Sequence, residues 1–176
     1  MRIGRTGPSL GAIILLAIAV AALLGLDLPG GGDEGGDRAG RLGPEAEAEV
    51  LRVIDGDTIE VDLGGDEEDV RYIGIDTPES AIPGEPVECF GKEASAANER
   101  LVDGETVRLV FDAERRDRYG RLLAYVYAGD TFVNASLVED GFATTLEIEP
   151  NTARAGQLGR LETAAGRAGA GLWGAC

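Results

Sequence analysis

Hydrophobic and polar positions change pattern twice along this chain. Leu10 to Leu26 is one apolar run without a charge, and residues 27–48 are then rich in Gly, Asp, Glu, Arg and Pro, with almost nothing to bury. From about Glu49 onward short alternating stretches take over. Leu51 to Ile54 reads as a first strand, and Asp55-Gly56 as a hairpin turn. Ile59, Val61 and Leu63 alternate with polar neighbours, which predicts a strand with one buried face. Val70 to Ile75, Val107 to Phe111 and Leu122 to Tyr127 supply three more strands. Phe90, Ala94, Ala97 and Leu101 recur at helical spacing. Val133 to Glu139 predicts a short helix stopping at Gly141, and Asn151 or Thr152 could cap a last helix to about Gly166. Five short strands with about three helices predict a mostly β fold with some α: a small closed barrel with helices outside it.

The start of the chain alters the cellular picture. Arg2 and Arg5 precede the apolar run, as in an export signal or a membrane anchor. Ala19-Val20-Ala21 offers a small-residue cleavage site. The run is slightly shorter than the roughly 20 residues a spanning helix needs. Residues 1–26 are therefore read as a cleaved signal or a retained hydrophobic anchor helix, 27–48 as a flexible, disordered acidic linker, and 49–176 as the globular domain. Either fate of the leader places the domain outside the cytoplasm, secreted or tethered to the outer face of the membrane.

Composition narrows the chemistry. The 176 residues include no histidine, which excludes a Ser-His-Asp triad and any histidine-ligated zinc site. Carboxylates must carry acid–base work, and a metal, if used, should be an oxygen-liking one such as calcium or magnesium. The net charge of -16 is unfavourable for a partner that is itself a polyanion. The positive charge is concentrated, however, at Arg115, Arg116, Arg118 and Arg121, and a local field can attract phosphate on an acidic molecule.

Two charges fall in phase with apolar stripes. Asp57 shares its face with Ile59, Val61 and Leu63, and Arg71 shares its own with Ile73 and Ile75. A charge at such a place needs a partner. The two either pair with each other or line a mouth where a cation and an anion bind. Asp76-Thr77-Pro78-Glu79 then follows Arg71 closely. Pro78 stiffens that turn and forces Thr77 toward an extended shape, holding Asp76 and Glu79 beside the strand of Arg71. Two carboxylates and a free backbone carbonyl suit a hard cation completed by water.

In order, the chain carries Val53-Ile54-Asp55-Gly56-Asp57-Thr58, Arg71 with Ile75-Asp76-Thr77-Pro78-Glu79, Gly91-Lys92-Glu93-Ala94-Ser95, Asp117-Arg118-Tyr119-Gly120-Arg121 with Ala124-Tyr125, Val133-Asn134 with Leu137-Val138 and Gly141, and Leu172-Trp173. This series resembles the staphylococcal nuclease (thermonuclease) family from about Val50 to Trp173. The resemblance implies a five-stranded OB-fold barrel with three helices and calcium-dependent endonuclease cleavage of DNA and RNA, leaving 3′-phosphate ends. It implies Asp57, Asp76 and the Thr77 carbonyl as calcium ligands, Glu79 as the residue that holds the attacking water, and Arg71 and Arg121 as the grip on phosphate. Arg118 and Tyr119 become candidates for substrate contact, with Tyr119 equally able to serve packing. The alternative on the same fold is a non-catalytic nucleic-acid-binding OB module. A third reading is a surface protein whose acidic patch buffers cations.

Other residues carry two readings. Asp55 either tunes the metal indirectly or serves the hairpin turn. Glu93 either supports the site or favours a helix start through the helix dipole. Asp117 is a turn residue or a holder of the arginine-bearing loop. Arg115 and Arg116 read as a solvated basic face. Leu146 and Ile148 stand where the family's best-studied member has two tyrosines, so base stacking should be weaker. Cys89 and Cys176 are the only cysteines, and in an exported domain they are expected to form one disulfide. The domain is expected to act as a monomer.

Overall fold

The computed structural model describes residues 42–80 and 87–176, and the readings for 1–26 and for 27–41 lie outside the described residues. The chain enters through β1 (Glu45–Val53) and turns at Asp55-Gly56 into β2 (Thr58–Asp62). It turns again at Gly64-Gly65 into β3 (Glu67–Tyr72), and a short β4 (Ile75–Asp76) follows. The helix α1 (Gly91–Val102) leads to β5 (Thr106–Val110) and β6 (Leu122–Ala128). A two-residue β7 (Thr131–Phe132) runs into α2 (Val133–Glu139), and β8 (Thr144–Thr145) pairs with β4. The chain finishes with α3 (Ala155–Ala168) and the single turn α4 (Leu172–Ala175).

The large strands lie in the order β3-β2-β1-β5-β6, antiparallel throughout, and a parallel pairing of β3 with β6 closes the ring. That seam matches Val70 to Leu122, Arg71 to Leu123 and Tyr72 to Ala124. The result is a closed five-stranded barrel with three helices, consistent with the OB fold. Ile59, Val61, Val70, Val107, Leu109, Leu122 and Val126 fill its interior and are fully buried. Leu137 of α2 and Leu158 of α3 join the same core. Each such side chain contributes about 1.5–3 kcal/mol relative to exposure.

Three buried asparagines tie the layers together. Asn98 of α1 accepts from Tyr72 Oη at 2.8 Å and donates to the Asp55 carbonyl at 3.0 Å. Asn134 of α2 accepts from the Val126 N–H and donates to the Ile73 carbonyl, both at 2.9 Å. Asn151 exchanges both backbone bonds with Glu114, each at 2.8 Å. Among the described residues, no buried side-chain nitrogen or oxygen lacks a partner, as a satisfied interior requires.

Several sequence expectations need correction. The first strand begins at Glu45, inside the stretch read as linker, because Glu45-Ala46-Glu47-Ala48 pairs with β5 and buries Ala48. The third strand stops at Tyr72 rather than Ile75. Gly74, at φ 81°, turns the chain there, which a residue with a Cβ would resist. In β3 the buried residues are Val70 and Tyr72, so Arg71 lies on the opposite face from the core and is not part of an inward stripe with Ile73 and Ile75. Helix α3 starts at Ala155, and Arg154 stands at its N-cap without a side-chain bond. Asn151 is engaged with Glu114 instead of capping it. The cysteine expectation holds: Cys89 and Cys176 form a disulfide, their Cα atoms 6.1 Å apart.

Candidate active site

The β1–β2 turn and the β3–β4 turn meet at one end of the barrel. Asp57, directly before β2, is 4 % exposed there. Its Oδ2 accepts from the Thr77 N–H at 2.8 Å and from Thr77 Oγ1 at 3.0 Å. Its Oδ1 accepts from Thr58 Oγ1 at 3.1 Å and lies 2.9 Å from Arg71 Nη1. The turn itself is shaped by Asp55, whose Oδ1 accepts from the Asp57 N–H at 3.0 Å. That gives Asp55 its turn role. Gly56 makes the meeting possible. A Cβ at this position would fall 2.6 Å from Thr77 Oγ1 and 2.8 Å from Thr77 Cβ. Gly56→Ala is therefore expected to destabilise the fold by about 1–3 kcal/mol through overpacking, measurable as a lower midpoint in urea.

Arg71 links the two carboxylates. Its Nη1 donates to the Ile75 carbonyl at 3.0 Å and the Tyr72 carbonyl at 3.3 Å, while Nη2 donates to Asp76 Oδ1 at 2.7 Å. The pairing is observed: Arg71 is ion-paired to Asp57 and Asp76, and Arg71, unlike Asp57, also forms part of a cavity wall. Asp76, by contrast with Asp57, has a largely exposed side chain.

Burial dominates the electrostatics at Asp57. Desolvation pushes its pKa up to about 7, against the attraction of Arg71 and the bonds from Thr77, and the nearby Asp55 carboxylate pushes the same way as burial. A buried carboxylate that ionises reluctantly with one guanidinium beside it is a place where further positive charge is stabilising. The groups here that could ligate a cation, the Asp57 and Asp76 carboxylates, offer only oxygens. The residues present therefore fit a hard divalent ion rather than a soft one.

Glu79 lies beside this group. Burial, then the charges of Asp55, Asp76 and Glu88, raise its carboxyl above the ordinary range, and Arg71 opposes them. Its side chain is exposed. It does not line the cavity that holds the two arginines.

Arg121 arrives from the other side. The loop before β6 is organised by Asp117, whose Oδ1 accepts from the N–H groups of Tyr119 at 2.9 Å and Arg121 at 3.0 Å. Asp117 Oδ2 accepts from Arg121 Nε at 2.7 Å. Partial burial works against ionisation of Asp117, yet the bond from Arg121 and the two backbone N–H groups outweigh it and hold its pKa below the ordinary value. Because the β3–β6 seam sets Arg71 opposite Leu123, Arg71 and Arg121 line one cavity of about 200 Å³, together with Asp117, Leu146, Ile148 and Asn151. Tyr119 is 70 % exposed, with the Arg118 and Arg121 guanidiniums 4.7 and 5.6 Å from its ring centre. It is a surface residue and no part of the core.

A family model for staphylococcal nuclease homologues matches residues 69–175. The chain belongs to the staphylococcal nuclease family. A thermonuclease of Staphylococcus hyicus is 41% identical over 138 residues, covering 77% of this chain and 82% of its own. A thermonuclease of Staphylococcus intermedius is 39% identical, covering 79% of this chain and 82% of its own. Endonuclease YncB of Bacillus subtilis (strain 168) is 46% identical over 103 residues, covering 57% of this chain and 49% of its own.

Within this staphylococcal nuclease fold, Arg115 and Arg116 are not a solvated face. Arg115 Nη1 donates to the carbonyls of Leu42 and Gly43 at 3.0 and 2.8 Å. Arg116 grips Glu68 with two bonds, at 2.9 and 2.7 Å. Both use their charge to anchor the loop that carries Arg121. Glu93 adds an acid to the first turn of α1, as its helix-dipole role requires. Sequence reading missed Asn98 and read Asn151 only as a possible helix cap, whereas the two brace the two sides of the site. The only signal available was their polarity, since their partners lie far away along the chain.

Proposed function

We propose that this chain is an exported or membrane-anchored, calcium-dependent phosphodiesterase that cuts DNA and RNA internally and leaves 3′-phosphate ends. The observation that carries the proposal is the cavity in which Arg71, already joined to Asp57 and Asp76, faces the same space as Arg121. The nuclease names of the relatives support it. The leading apolar run with Arg2 and Arg5 supports export. Among the described residues, no helix is long and apolar enough to cross a membrane.

Asp57, Asp76 and Thr77 would hold the ion. When bound, it supplies positive charge to a phosphate oxygen and to a water. Arg71 and Arg121 place guanidinium forks on the remaining phosphate oxygens, whose charge grows as the five-coordinate transition state forms. Arginine suits this work better than lysine because its planar fork can take two oxygens at once. Glu79 orients the attacking water and accepts its proton. The chain acts as a monomer, since one copy carries every group named. Arg118 and Tyr119 contact the strand outside the cavity.

Incubating the purified protein with single-stranded DNA tests the reading. Cleavage is expected with calcium and is expected to stop on adding a chelator. Calcium at 100 times its dissociation constant should also stabilise the fold by about 2.7 kcal/mol, seen as a higher melting temperature. Retention of DNA without cutting would instead favour the non-catalytic OB module.

A further inference from the structure

The backbone of Glu79 is held by contacts that the site description above does not use. Its N–H donates to Glu88 Oε2 at 3.0 Å, and its carbonyl accepts from the Glu88 N–H at 2.9 Å. The same carbonyl lies so close to α1 that a Cβ on Gly91 would fall 2.5 Å from it. Beyond it, Ser80 Oγ lies 2.6 Å from Ser95 Oγ of α1. Cys89 lies between Glu88 and Gly91, and its partner is Cys176. The C-terminal turn is itself firmly seated. The Leu172 N–H donates to the Gly141 carbonyl at 2.9 Å, and a Cβ on Gly171 would fall 2.3 Å from that oxygen. The disulfide therefore fastens the turn that grips Glu79 to the helical layer. Glu88 and Cys89 are exposed, so burial gives this turn little hold of its own.

We propose that Glu88 and the Cys89–Cys176 bond are positioning elements for Glu79, and that thiol reduction of the bond lowers turnover while the barrel stays folded. This rests on the nuclease reading given above. In the redox step a dithiol donates two electrons and two protons. The Cys89–Cys176 bond breaks, both residues become thiols, and the dithiol closes to its own disulfide. Without the tether, the 88–91 turn loses its attachment to the C-terminus, and the Glu79 backbone is held with less precision. Displacing a catalytic group by about 1 Å can cost up to about a hundredfold in rate, so a roughly ten- to hundredfold fall in kcat is expected, with KM changing far less. Binding should change less, because Arg71, Arg121 and Asp57 lie on other segments and Asp76 is held by Arg71 Nη2 at 2.7 Å.

The test compares the full chain before and after treatment with dithiothreitol, well below its melting temperature. Two quantities are read: kcat and KM on single-stranded DNA with calcium, and hydrogen exchange at the Glu79 amide. Reduction should lower kcat and speed exchange at Glu79 while exchange in β2 and β5 stays slow, and reoxidation should reverse the two changes. Unchanged kcat and unchanged Glu79 exchange in the reduced, folded chain would overturn the proposal. If reduction unfolds the protein, Glu88→Ala with the disulfide intact decides the matter. It should lower kcat, and Glu88→Gln, which keeps an acceptor for the Glu79 N–H, should recover most of it. A Glu88→Ala chain with wild-type kcat would overturn the proposal. Absence of any cleavage by the oxidised wild type would overturn the nuclease reading, whereas the Glu79 exchange readout does not depend on cleavage.

Discussion

Glu79→Gln is expected to reduce kcat/KM by roughly 10²–10³, the scale set by loss of one well-placed transition-state group, without changing the fold. The two side chains have nearly the same shape. The substituted side chain is exposed, so stability should stay within about 0.5 kcal/mol. The bonds that anchor residue 79 use its backbone N–H and carbonyl, and these survive the substitution. What the amide lacks is the negative charge that orients a water and the capacity to take its proton. The surroundings raise the Glu79 carboxyl above the ordinary range: partial desolvation leads, followed by repulsion from Asp55, Asp76 and Glu88, and Arg71 opposes them. Steady-state cleavage of single-stranded DNA in calcium, beside thermal unfolding of the same preparations, separates chemistry from stability. Full activity in the glutamine variant would remove Glu79 from its proposed role.

Replacing Cys89 and Cys176 together by alanine is expected to give the largest loss of stability. Their separation in sequence is 87 residues. Cross-linking a loop of that length removes denatured-chain entropy equivalent to about 4–5 kcal/mol, an upper value. In a domain of this size that corresponds to a fall of about 10–20 °C in melting temperature. Thermal unfolding with and without dithiothreitol checks the figure directly, and the variant should be insensitive to the reductant. A change of only a degree or two would mean that the native chain is already held together elsewhere, for instance by the Gly141–Gly171 contact.

The parts of this molecule that could be read from its sequence are those specified by near neighbours. The alternation of Ile59 and Val61 marked β2, and the apolar spacing of Val133 to Glu139 gave the bounds of α2. Asp57 was legible as a buried charge because its own strand set its phase. Arg71 was misread for the converse reason. Its phase was extended through Gly74, where the backbone leaves the strand, so its true face was hidden. The first half of β1 escaped notice because Glu-Ala-Glu-Ala buries only small methyl groups, and its strand character comes from pairing with β5. Arg115 and Arg116 looked like a basic surface. Their partners, the 42–43 carbonyls and Glu68, are dozens of residues away, and nothing local marks such pairs. The ordered motifs were enough to place the chain in its family. How the turns assemble was beyond local pattern.

The parallel seam between β3 and β6 has a consequence for timing. Arg71 and Arg121 belong to segments separated by α1 and β5, and they face a common space only after those two strands have joined. Contacts between distant segments carry the greatest loop-closure cost and tend to form late. Neither an unfinished chain nor a fragment ending before residue 121 has both guanidiniums in place. On the proposed reading, the capacity to cut is therefore acquired only at the moment the barrel shuts.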